Sequence, residues 1–85
     1  MNTVFLLLAK YERSPVPLNE VCEEFFGIGE KHASMLAASQ SLPIPVFKLR
    51  ESERAKWMVD IRDLAEHIDK KRRQALHDYI DVRTN

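Results

Sequence analysis

Residues 42–59 read LPIPVFKLRESERAKWMV, and the architecture turns on whether this stretch is helix or hairpin. As helix, it merges with the downstream residues, and SERAKWMVDIRDLAEHIDKKRRQALHDYI becomes one rod of roughly 30 residues, about two and a half times the mean helix length. As strand, it alternates: Phe47 and Leu49 point one way and Lys48 and Arg50 the other, then Ala55 and Trp57 oppose Arg54 and Lys56. Period two is a strand signal. Pro43 and Pro45 decide between the readings, because proline fixes φ and biases the residue before it away from the α region, so the chain enters extended. The stretch is therefore a hairpin ending near Val59. It presents Lys48, Arg50, Arg54 and Lys56 on one face, and like charges opposed across strands cost about 0.2–1 kcal/mol per pair. A polyanion removes that cost. Cations also guard sheet edges against aggregation, so a solvated edge is the competing reading.

A helix start comes directly after the hairpin. Asp60 is placed as N-cap, Asp63 at the third helical position favours the positive end of the helix dipole, and Val59 and Leu64 are spaced as a hydrophobic staple. From there a helix runs to about Ile80, with a seam of Ile61, Ala65, Ile68, Arg72, Ala75, Tyr79 and Val82 in alternating steps of four and three. Only Arg72 breaks its apolar character. About six turns outrun a body of this size, so the excess should meet another subunit, through Ile68, Ala75, Tyr79 and Ile80. KKRR at 70–73 spreads around the helix, which suits a solvated run.

Eighty-five residues make one domain. At that size only about 60–65% of the unfolded surface is buried, so stability is marginal and dimerisation is one source of help. Formal net charge is zero, but the distribution is uneven: residues 1–30 carry two cations and five anions, 31–62 six and three, 63–85 five and five. The basic middle third points to modest nucleic-acid affinity per subunit and a steep salt dependence. A single cysteine, Cys22, excludes an internal disulfide, and His32, His67 and His77 lack zinc spacing, so neither a metal nor a cofactor is expected. VFLLLA is too short to span a membrane and a poor signal peptide, which suggests a cytoplasmic protein with no membrane partner.

NTVFLLLAKYE reads as a short helix or a strand, ending before RSPVP. PLNEVCEEFF is a helix with Leu18, Val21, Cys22, Phe25 and Phe26 on one face, which makes Cys22 a core residue. In GIGEKHASMLAASQ, Gly27 can close that helix in the left-handed region and Gly29 can cap the next. Two short helices joined by a glycine turn suggest a helix-turn-helix. On a helical wheel, Ala33, Leu36 and Ala37 face inward, while Lys31, Ser34, Met35 and Ala38 lie outward with His32 beside them. That outer face is mostly small, suited to a major groove, with Lys31 and Ser34 near the N-terminal end where base edges are met.

The order helix, glycine turn, helix, basic hairpin, helix is that of a winged helix-turn-helix. The expected fold is mainly α with a small β-hairpin and a long C-terminal helix, one domain over residues 1–82 with a frayed tail at 83–85. MNTVFLLLAKY, VPLNEVCEEFFGI and SLPIPVFKLRESERAKWMVDIRDLAEHID resemble the pyocin activator protein (PrtN) family, to about residue 75. More loosely, the chain is similar to the excisionase and AlpA regulators of mobile elements. The resemblance implies binding of double-stranded DNA at repeated boxes upstream of phage-derived bacteriocin genes, and activation of their transcription with RNA polymerase as a further partner. Base readout then falls to Lys31, His32, Ser34 and Met35, and phosphate contact to Lys48, Arg50, Arg54 and Lys56. An excisionase-like architectural factor and a protein-interaction module, an antirepressor or adaptor, are the alternatives on the same fold. No catalytic constellation competes, since Ser34 with His32 lacks an oriented acid, and no small-molecule ligand is expected.

Overall fold

The computed structural model describes residues 2–84. The first element, open in sequence between helix and strand, is a helix, α1 (Thr3–Tyr11). Its start is set by Asn2, whose side chain accepts a 2.8 Å hydrogen bond from the Val4 N–H, and its end by Glu12 in the left-handed region, whose N–H reaches Leu8. The chain then forms a short strand that has no counterpart among the expected elements, β1 (Val16–Pro17), before α2 (Leu18–Phe26). After the glycine turn come α3 (Glu30–Ala38), β2 (Phe47–Lys48), β3 (Trp57–Val59) and α4 (Ile61–Thr84).

The hairpin expected over residues 42–59 is present but shorter, its strands being only β2 and β3, with Phe47 opposite Met58 and Lys48 opposite Trp57, so Arg50, Arg54 and Lys56 lie outside the strands. β1 completes an antiparallel sheet on the other edge of β3, pairing Val16 with Val59 and Pro17 with Met58. Pro17 cannot donate to a ladder, which confines its strand to an edge. This is a winged-helix-like fold: three helices, a small three-stranded sheet and a long C-terminal helix.

The core lies where these parts converge. Val16, Val21, Cys22, Val59, Ile61 and Leu64 are the largest fully buried side chains, joined by Leu7, Leu18, Ala33, Ala37, Ile44, Val46 and Ala65. Each buried aliphatic of this size contributes about 1.5–3 kcal/mol. Cys22 is thus a core residue, as its helical position indicated.

Asp60 caps α4 as the sequence indicated: its carboxylate accepts a 2.8 Å bond from the Arg62 N–H and is gripped by the Arg62 guanidinium. The Ile61 N–H is met from far along the chain by the Ser14 hydroxyl at 3.2 Å. Two of the orphan donors at the helix start are therefore satisfied.

α4 runs to Thr84 and not to about Ile80, so Arg83 and Thr84, expected in a frayed tail, stand in the helix; Asn85 lies outside the described residues. α1 packs along its first turns, where the Thr3 hydroxyl donates to Asp69 at 2.7 Å. From Lys70 to Arg83 every side chain is exposed, and the molecule is 52 Å long and 17 Å thick. Its radius of gyration, 14.9 Å, exceeds the roughly 12 Å of a compact chain of this length.

Asp60→Ala should cost about 1 kcal/mol of unfolding free energy, the usual loss of an N-cap, measurable by urea titration. A second expectation concerns pH. His67 packs its ring against Phe26 at 5.6 Å, and partial burial, followed by the nearby Lys71 and Lys70, holds its pKa below the ordinary 6.5. The unfolded chain then takes up that proton first, so stability should fall as pH drops below about 6.5 and level off once pH is under the folded value. His67→Gln should flatten that part of the stability–pH profile.

Candidate nucleic-acid interface

The second helix of the pair is presented by a glycine turn. Gly27 sits at φ 67°, the left-handed conformation that suits glycine, and its N–H bonds to the Glu23 carbonyl at 3.1 Å while the Ile28 N–H reaches Cys22. Gly29, extended, begins α3, its carbonyl accepting from the Ala33 N–H at 2.9 Å. α3 then sits on the core through Ala33 and Ala37, with Leu36 partly buried. Small side chains on that face bring the helix close to the body. Lys31, His32, Ser34, Met35 and Ala38 all face solvent, the arrangement read from the wheel, and Met35 is 64% exposed.

The wing differs from the expected one. Ile44 and Val46 are buried, so the even-numbered positions face inward, while Phe47 and Leu49 turn outward and Leu49 is 70% exposed. Lys48, on the inward parity, lies opposite Trp57 with its ammonium 4.8 Å from the ring centroid. The four cations therefore do not share one face. Lys48 also donates to the Ser52 carbonyl at 3.1 Å, and the same carbonyl accepts from the Ala55 N–H while the Ser52 hydroxyl accepts from the Arg54 N–H. Ser52 organises the tip, and Lys48 ties strand to tip. Arg50, Arg54 and Lys56 remain exposed around a recess of about 300 Å³ that they share with Leu49, Ala55 and Met58.

A second recess, of about 100 Å³, joins the two parts: Ser34 and Glu30 of α3, Asn19 of α2 and Lys56 and Trp57 of the wing all line it. Sequence reasoning missed Asn19, Ser52 and Trp57. For Asn19 a signal was available, since it stands at the start of the first helix of the pair, the end that approaches the backbone in helix-turn-helix docking. The roles of Ser52 and Trp57 depend on cross-strand packing.

The charge pattern sharpens the surface. On the body several cations are matched, Lys10 by Glu24, Arg13 by Glu20, Arg62 by Asp60 and Arg73 by Glu66, while among the described residues Lys70, Lys71 and Arg72 of α4 are not. Lys10 in turn draws the Glu24 carboxyl below its usual range, and burial followed by Glu24 pushes Tyr11 up to about 12. Among the described residues Lys31, Arg50, Arg54 and Lys56 have no such acidic partner. Nor does any group of three His, Cys, Asp or Glu side chains among them come together to hold a metal, and no helix is long and apolar enough to cross a membrane.

The chain matches the family described as pyocin activator protein PrtN over residues 3–75, and it belongs to that family of regulatory activators. Neither the curated proteins nor the solved structures yield a match to the chain.

Lys48→Met should remove the ammonium from the Trp57 ring and lower unfolding stability by about 0.5–1 kcal/mol, the range for an exposed cation–π pair. Because Trp57 is the only tryptophan, its emission should shift as well. Arg50→Met, at the exposed edge, should change neither.

Proposed function

We propose that this chain is a DNA-binding activator of pyocin genes, with α3 entering the major groove and the wing lying on the adjacent backbone. Membership of the family supports the regulatory role. The observation that carries the mode of action is the juxtaposition at the smaller recess, where exposed Ser34 of the second helix stands beside Lys56 of the wing. A duplex seated on α3 then has unpaired cations along its flank, with Lys31 and Ser34 toward base edges and Arg50, Arg54 and Lys56 toward phosphates. His32 and Met35 extend the groove-facing surface, and Lys48 acts on the wing's shape more than on DNA. The N-terminus of α2, at Asn19, offers a further approach to the backbone. Contact with RNA polymerase completes the role of an activator.

One observation favours the adaptor reading. Phe47 and Leu49 put apolar surface on the outer side of the wing, which suits a protein partner more than a phosphate backbone.

The readings separate on binding to duplex DNA at several salt concentrations. Arg50→Ala and Lys56→Ala should weaken binding to all sequences alike and flatten the salt slope by about one unit per lost contact. Lys31→Ala and Ser34→Ala should change which sequences are selected more than overall retention, since base contacts specify and phosphate contacts position. Salt-independent, sequence-indifferent behaviour of the parent overturns the DNA reading in favour of the adaptor, and bending of the bound duplex points to an architectural factor.

A further inference from the structure

We propose that the projecting half of α4 pairs antiparallel with the same segment of a second copy of this chain, the two helices crossing between residues 74 and 75. The segment from Lys70 onward is about 22 Å of helix, exposed at every side chain to Arg83, and only Lys70 and Lys71 at its base border the domain, near Pro43 and Pro45. An isolated helix of this length is marginal in water, and its helicity must be supported by packing. Along it runs an apolar stripe of Ala75, Leu76, Tyr79, Ile80 and Val82, of which Val82 is 78% and Tyr79 54% exposed. The stripe continues the line of Ile61, Leu64, Ala65 and half-buried Ile68, which faces the domain's own core. One face of one helix thus serves two partners in succession.

Charge selects the occupant. The base of the segment carries Lys70, Lys71, Arg72 and Arg73, and its distal part carries Asp78 and Asp81 with Arg83 at the end. Among the described residues, Arg73 alone of the four cations has an acidic partner, Glu66, while Asp81 is met by His77. A parallel pair in register sets one cationic block against the other. An antiparallel pair brings each cationic base toward the Asp78 and Asp81 of the other copy, so a second copy is its own complement there.

The register comes from helical geometry. Lys71 and Asp78 are seven residues apart and share one flank of the stripe. A twofold axis perpendicular to two antiparallel helices brings like flanks together. Crossing between residues 74 and 75 puts Lys71 against Asp78 of the second copy, and symmetry repeats the contact. Arg72, a cation on the stripe's own face, then comes within a turn of the second copy's Tyr79. It can lie on the ring face not taken by Arg83, whose guanidinium is 4.4 Å from the centroid.

Sedimentation at micromolar concentration tests this on the full chain, with Lys71→Asp, Asp78→Lys and the double reversal in one chain. The parent should be a dimer, and each single reversal should raise the dissociation constant by about tenfold, because two symmetric pairs become two repulsions. The double reversal should recover most of that loss, since Asp at 71 again meets Lys at 78. Orientation is read separately by oxidation: Ala75→Cys, beside the crossing point, should cross-link to itself. Val82→Cys should not, because the two sites stand about 22 Å apart in an antiparallel pair. A monomeric parent, a double reversal no better than either single, or efficient self-cross-linking of Val82→Cys each overturns the proposal. Cys22, fully buried, does not confuse the readout. The outcome is independent of DNA binding.

Discussion

The turn at residues 59–61, where β3 becomes α4, is held by residues 14–16 from far along the chain and by its own next residue. Val59 is fully buried opposite Val16, the Ile61 N–H is met by the hydroxyl of Ser14, and the Asp60 carboxylate closes the Arg62 N–H. Because β3 is the central strand, β1 and the wing both take their positions from it. The long helix leaves from the same point at an angle fixed by Ile61 and Leu64 in the core. α2 continues from β1 without a linker, so the helical pair is placed by that turn as well. In a domain this small a single buried aliphatic is a large part of the net stability, and the wing's position relative to α3 is set by few contacts.

Much of this is legible in the sequence because the signals are local and strong. Two prolines, a period of two and a capped helix start distinguish hairpin from rod, and Gly27 and Gly29 mark the turn before α3. β1 is not legible: two residues carry no periodicity, and Val16–Pro17 becomes a strand only because β3 lies beside it. α1 stays open between helix and strand because VFLLLA is apolar without a clear period, and packing against α4 decides it. The length of α4 exceeds the expected one because no glycine or proline stops the helix, and the seam thins out before the helix does.

The site is legible in its parts more than in its assembly. The exposed face of α3 follows from Ala33 and Ala37, whose small side chains mark the buried side. The wing's cations are visible by type, but placing them on one face requires Phe47 and Leu49 as the inward residues. Burial of Ile44 and Val46 just upstream fixes the opposite parity, and the chain carries that parity into Lys48. Its lodging on Trp57 depends on a cross-strand register, and the meeting of Ser34, Asn19 and Lys56 depends on tertiary placement. Neither has a sequence signal.

α4 crosses from one regime of protection to another within a single unbroken run of backbone hydrogen bonds. In a lone subunit, its first two turns carry Ile61, Leu64 and Ala65, whose amides open only when the core does, whereas beyond Asp69 an amide needs only the helix itself to fray. Amide exchange along this one element therefore grades from the slowest sites in the molecule to among the fastest. A protease meets the same gradient from outside, finding cleavable backbone at the basic residues 70–73 once the arm unwinds. The persistence of those sites thus measures how long the arm stays helical, in a way the rest of the domain does not affect.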